Sequence, residues 1–90
     1  MTVIDPAHHE VDRAVRVRFW AGARAAAGVE EVVVAAGRVG EVTAAASRLA
    51  PGVAAILPLC SLLVDGHRVG PDDDAPPSSV LEVLPPFAGG

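Results

Sequence analysis

A single stretch of this chain carries helical periodicity, and the long apolar runs on either side of it read as strands. Val39, Val42, Ala46 and Leu49 recur at steps of three, four and three, which sets them on one face of a 3.6-residue spiral. Glu41, Thr43 and Arg48 fall on other faces. Before this stretch, Val15, Val17 and Phe19 alternate with Arg16 and Arg18, the period-2 pattern of a half-buried strand. VEEVVVAA (29–36) follows, and its successive β-branched valines favour extended backbone. After the helix come CSLLV (60–64), HRVG (67–70) and VLEVL (80–84). One amphipathic helix must then cover one mixed sheet of about five strands. That is an α+β domain, and with strands at both ends of the order it is a β-grasp arrangement.

Boundaries follow from the punctuation. Pro51 disfavours helical geometry at Ala50, and Gly52 offers a left-handed turn, so the helix stops there. Its start is poorly marked. Glu41 suits the third position of a capping box, but Arg38 would be the cap and has no acceptor to offer. Asp65-Gly66 is the strongest hairpin-turn signal in the chain. AGARAAAG (21–28) reads as a short connection closed by Gly28, between two strands that pair antiparallel. Residues 1–13 lack any period and are expected to form a flexible leader. The domain proper is 14–84, and 85–90 form an extended tail, PPFAGG.

Composition excludes several function classes. The net charge is −4 and the seven basic side chains are all arginine, which argues against a nucleic-acid binder. Cys60 is alone, so an internal disulfide is impossible and a reducing compartment fits. No apolar run reaches the roughly 18 residues a membrane-spanning helix needs. The first residues, MTVIDPAHHEVDR, do not resemble a secretory signal. These features lead us to expect a soluble, cytoplasmic protein with no nucleic-acid or membrane partner.

The tail has the strongest chemical implication. Pro85 and Pro86 lack the amide hydrogens a sheet requires, so the last strand must end near Leu84. The six residues beyond can reach at most about 20 Å. Gly89 and Gly90 have no side chains, so this end could enter a narrow channel in a partner and present a carboxylate there. A C-terminal carboxylate, with a pKa of about 3.3–3.7, is ionised at neutral pH and unreactive as an acyl donor. It can nonetheless attack the α-phosphate of ATP, and a thiolate or persulfide can displace AMP from the acyl-adenylate. Nothing in this chain cradles a phosphate, so the activating machinery must be another protein.

Other candidates read more plainly. His8, His9, Glu10 and Asp12 lack a preorganised metal geometry, and Asp72 to Asp74 lack the ligand spacing of a calcium loop, so no metal site is expected. His67 has no identifiable catalytic partner. Cys60 sits in an apolar strand, where a free cysteine behaves mainly as a small hydrophobe. Trp20, Leu62, Leu63 and Phe87 exceed what a one-sided sheet needs and are candidates for a partner-binding patch beside the tail.

VRVRFWAGARAAAG (15–28), VGEV (39–42) and VLEVLPPFAGG (80–90) resemble the opening strand and turn, the helix start, and the last strand and tail of the molybdopterin synthase small subunit. That subunit belongs to the MoaD/ThiS family of sulfur carriers. The resemblance covers roughly residues 14–90 and is most specific at the C-terminal motif. It implies a ubiquitin-like β-grasp fold and a carrier that is not an enzyme by itself and binds no cofactor. It also implies that an adenylyltransferase related to ubiquitin-activating enzymes activates Gly90 with ATP. A persulfide donor would then convert Gly90 to a thiocarboxylate. Residues Pro85, Pro86, Phe87, Ala88 and Gly89 would carry it into the large synthase subunit, within a heterotetramer. There sulfur would pass to cyclic pyranopterin monophosphate to build the molybdopterin dithiolene. Carriers for thiamine or cysteine synthesis, and ubiquitin-like protein modifiers, use the same kind of tail. Phe87 and Ala88 replace the commoner small aliphatic and serine, and PPSSVLEV replaces the usual tight turn.

Overall fold

The structure, a computed structural model, describes residues 1–4 and 13–86. Its strands are β1 (Thr2–Ile4), β2 (Ala14–Phe19), β3 (Glu31–Ala35), β4 (Gly37–Arg38), β5 (Ser61–Val64), β6 (His67–Arg68), β7 (Asp74–Ala75) and β8 (Val80–Leu84). The helices are α1 (Ala21–Ala27) and α2 (Val39–Leu49). A mixed six-stranded sheet runs β1-β3-β2-β8-β5-β6, and β4 pairs separately with β7. The sheet therefore has six strands where about five were expected, and α2 covers one face of it.

The alternation read from the sequence sets the two faces. Val15, Val17 and Phe19 of β2, with Leu81 and Val83 of β8, are buried on the helix side. They meet Val39, Val42 and Ala46 of α2 in one core. β2 pairs antiparallel with β3 and parallel with β8, placing Val17 between Val32 and Leu81. β8 is thus the buried centre of the sheet, with its other side against β5. The Asp65-Gly66 turn has φ of 47° and 85°, the left-handed pair a type I′ hairpin needs. The returning strand ends at Arg68, two residues sooner than expected.

Three expectations are corrected. The alanine-rich connection is a seven-residue helix, closed by Gly28 at φ 75° with its amide on Arg24 O. Periodicity missed it because Ala23 is its only buried residue. Thr2–Ile4, placed in the flexible leader, form an edge strand parallel to β3. Gly52 is not left-handed, and Pro51–Val53 continue from α2 as a 3-10 turn. What Gly52 supplies is closeness, since an added Cβ would lie 2.1 Å from Ala26 O of α1.

The weak helix start also has an explanation. The amides of Val39 and Gly40 donate to Asp73 O and Pro71 O at 2.8 and 2.9 Å, so a distant loop caps α2. Glu41 Oε1 accepts from the Arg38 amide at 3.0 Å, which is half of a capping box. The other half is missing because a guanidinium cannot accept a hydrogen bond. Arg38→Ser, at an exposed position with extended backbone, is therefore expected to stabilise the domain by about 0.5–1 kcal/mol. An unchanged or lower urea midpoint would contradict that.

Candidate functional site

The site is the place where the chain leaves the sheet. Leu84 is the last residue of β8 and lies opposite Ser61, after which Pro85 and Pro86 cannot extend the ladder. The amide of Trp20 donates to Val83 O at 3.1 Å and fastens this end of β8 to the end of β2. The tail's root is thereby held by the two central strands of the sheet. A rigid root narrows the volume that a short tail can sample.

Around the root, the face away from α2 carries an ordered side-chain array. Register puts Arg18 beside Glu82 and Glu82 beside Leu63 on that face, with Leu84 and Ser61 forming the next pair. Trp20 Nε1 donates to Glu82 Oε2 at 3.0 Å, and the Arg18 guanidinium lies 5.3 Å from the indole centroid. The indole is thus fixed from both sides while 40% of the residue stays exposed. Such a contact with a cation contributes about 0.5–1 kcal/mol at an exposed site. Arg18 and Arg16 also face Glu31, at 3.9 and 3.0 Å. The result is an amphipathic surface with Trp20 and Leu63 flanking a carboxylate.

The expected partner patch divides between the two faces. Trp20 and Leu63 share the open face beside the tail root. Leu62 pairs with Val83 on the helix side and packs against the core. It lines a cleft of about 430 Å³ with Thr43, Leu57, Cys60, Arg68 and Val69. A period of two sends adjacent leucines to opposite faces, so both could never have joined one patch. Sequence reasoning missed Arg18, Glu82 and Leu84, which were read as ordinary outward or strand-end residues. The signal was available in the alternation, because outward positions on neighbouring central strands must meet. Phe87, Ala88, Gly89 and Gly90 lie outside the described residues, as do His8, His9, Glu10 and Asp12.

The remaining candidates have structural roles. Asp73 Oδ2 accepts from the Gly70 amide at 2.7 Å, and Asp74 belongs to β7. Among the described residues, no three His, Cys, Asp or Glu side chains are grouped to hold a metal. No helix among them is long and apolar enough to cross a membrane. The Met1 ammonium beside Glu30, with Arg24, holds that carboxyl below its usual range. Cys60 Sγ donates to Ile56 O at 3.2 Å, and burial pushes its thiol pKa up. A raised pKa leaves less thiolate at neutral pH, the wrong direction for a sulfur nucleophile. Alkylation of Cys60 by iodoacetamide should keep accelerating above pH of about 8.5, where a free cysteine begins to level off. A plateau below that pH would contradict the burial effect.

Solved structures that superimpose on this chain show its fold. Small archaeal modifier protein 1 from Haloferax volcanii superimposes with a TM-score of 0.77 at 18% identity, over 86% of this chain and 99% of that one. The fold is the ubiquitin-like β-grasp. The same protein from Methanosarcina acetivorans gives 0.76 at 21% identity, over 86% and 96%. A subunit in the complex of subunits 1 and 2 of the molybdopterin-converting factor from Helicobacter pylori gives 0.64 at 22%, over 86% and 99%. About a seventh of this β-grasp chain thus has no counterpart in those structures. No family model matches the sequence. Among curated proteins there is likewise no match.

Proposed function

We propose that this chain is the sulfur-carrier subunit of a molybdopterin synthase, working through a Gly90 thiocarboxylate. The observation that carries the reading is the tail's root. The buried central strand ends at Leu84, two prolines follow, and the sequence then runs to Gly89-Gly90 with no bulky residue after Phe87. The β-grasp likeness to a molybdopterin-converting factor subunit in complex with its partner supports it.

In this reading the Gly90 carboxylate attacks the α-phosphate of ATP on a ubiquitin-activating-like adenylyltransferase and releases pyrophosphate. The terminal sulfur of a donor persulfide displaces AMP, giving an acyl disulfide. A second thiol cleaves its S–S bond, leaving the thiocarboxylate and a disulfide. The tail then enters the large subunit and delivers sulfur to cyclic pyranopterin monophosphate, returning as a carboxylate. The body contributes no reacting group. It positions the tail and presents Trp20 and Leu63 to the partner, with Phe87 as a further contact.

Intact mass tests this directly. The protein, activating enzyme, ATP and sulfur donor should give a gain equal to exchanging one oxygen for sulfur. Adding the large subunit and pterin precursor should return the starting mass. No gain would overturn the carrier role, and a gain that survives those additions would overturn the molybdenum assignment. Leu63→Asp should weaken large-subunit binding at least tenfold, about 1.4 kcal/mol, in a domain that still folds with its melting midpoint lowered by the new carboxylate opposite Glu82. Phe87→Asp should weaken binding similarly. Unaltered affinity would remove the patch from the account.

The likeness to small archaeal modifier proteins favours a second reading, in which Gly90 forms an isopeptide bond with lysines of other proteins. This chain contains no lysine, so it could not modify itself through one. Gly90-linked conjugates in cells, without thiocarboxylate, would favour the modifier.

A further inference from the structure

We propose that the cleft beside β5 is a docking site for the chain's own last four residues, with Phe87 among its aliphatic side chains and the Gly90 carboxylate on Arg68. The cleft, of about 430 Å³, is lined from α2, from the Leu57–Leu59 turn and from the β5–β6 edge of the sheet. Leu57, Leu62 and Val69 are half-buried and packed against the core, so this apolar surface is fixed in place without being covered. Arg68 is the one charged residue in the lining. Among the described residues, no carboxylate lies within ion-pair distance of it. The cleft therefore suits an apolar side chain with an anion a few residues away.

The tail has that chemistry and starts at the cleft's rim. Leu84 pairs with Ser61, and Ser61 lines the cleft together with Cys60. Pro85 is half-buried there and Pro86 is exposed. The four residues after Pro86 reach at most about 13–14 Å, whereas a space of that volume is about 7–8 Å across. Phe87 is the one aromatic residue of the tail, and Gly90 stands three positions on, with Ala88 and Gly89 adding little bulk between.

Neither contact needs to be strong. An exposed ion pair contributes little, and a single ring only moderately. A tether this short holds the segment at an effective concentration in the millimolar range. Even an affinity of about 0.3 mM as a free peptide would then keep it docked roughly three-quarters of the time. The carboxylate contact rests on the reading that Gly90 is the free end. While docked, that end is withheld from an activating enzyme and from the large subunit, and Phe87 must leave the cleft before either engages it. Leu62 puts the cleft on the helix side of the sheet, so the stored tail leaves Trp20 and Leu63 uncovered.

Cys60 lines the cleft and reports whether it is filled. Its rate of alkylation by iodoacetamide is compared between the full chain and a chain ending at Pro86, which keeps every described residue. The shortened chain should react roughly fourfold faster, the inverse of the undocked fraction. Arg68→Gln should speed the reaction in the full chain and leave the shortened chain unchanged. That pair of results separates loss of the carboxylate contact from any direct effect of the guanidinium on the thiol. Equal rates for the full and shortened chains, or the same Arg68→Gln effect in both, would overturn the proposal. So would protection that fades on dilution, because the occupant would then be the tail of a second copy. The assay contains no ATP, activating enzyme or sulfur donor. A failure here therefore leaves the carrier reading standing, and a failure to load sulfur leaves the docking standing.

Discussion

Deleting Gly90 should abolish thiocarboxylate formation while the melting temperature stays within about 3 °C of the parent. The shortened chain would still end in a glycine carboxylate, so its intrinsic chemistry is unchanged. What it loses is reach, by roughly 3.3–3.6 Å for one extended residue. A misplacement of about 1 Å can cost a hundredfold in rate. A shift three times larger should leave no measurable loading. The core is complete within the described residues, which accounts for the unchanged stability. Intact mass after incubation with activating enzyme, ATP and sulfur donor gives the answer. Loading of the shortened chain at the parent rate would end the carrier proposal.

Gly52→Ala should be the most damaging single methyl in the domain. Gly52 is exposed and looks tolerant, yet its added Cβ would stand 2.1 Å from Ala26 O. The obstacle is backbone near the C-terminus of α1, so no side-chain rotation relieves it. Either α1 or the Pro51–Val53 turn must shift, and both pack on the core through Ala23 and Val53. We expect a loss of about 3 kcal/mol, near the top of the overpacking range. For a domain this size that corresponds to roughly 12–24 °C in Tm. Gly22→Ala is the control, because an added Cβ there meets nothing within 4 Å. Inside α1 it should stabilise by about 0.5–1 kcal/mol. Equal melting temperatures for the two variants would refute the contact.

Much of the fold was legible because burial imposes period. Val15, Val17 and Phe19 had to share one face, Leu81 and Val83 another strand's inner face, and Val39, Val42, Ala46 and Leu49 one side of a helix. The structure buries all of these in the core except Leu49, which is half-buried against it. The Asp65-Gly66 hairpin was equally plain, since few residue pairs accept two successive left-handed conformations. The short helix Ala21–Ala27 was hidden because alanine marks no inside or outside. Strand Thr2–Ile4 was hidden because three residues are too few to display alternation.

By itself, the sequence determined most of which residues are inside and where the sheet must release the chain. These are properties of single residues and of their spacing. The tertiary structure alone decided that a distant loop caps α2, that Gly52 abuts Ala26, and that Trp20, Glu82 and Leu63 meet beside Leu84 while Leu62 does not. Each of these depends on which strands become neighbours and in what register, and pairing across dozens of residues leaves no periodic trace along the chain.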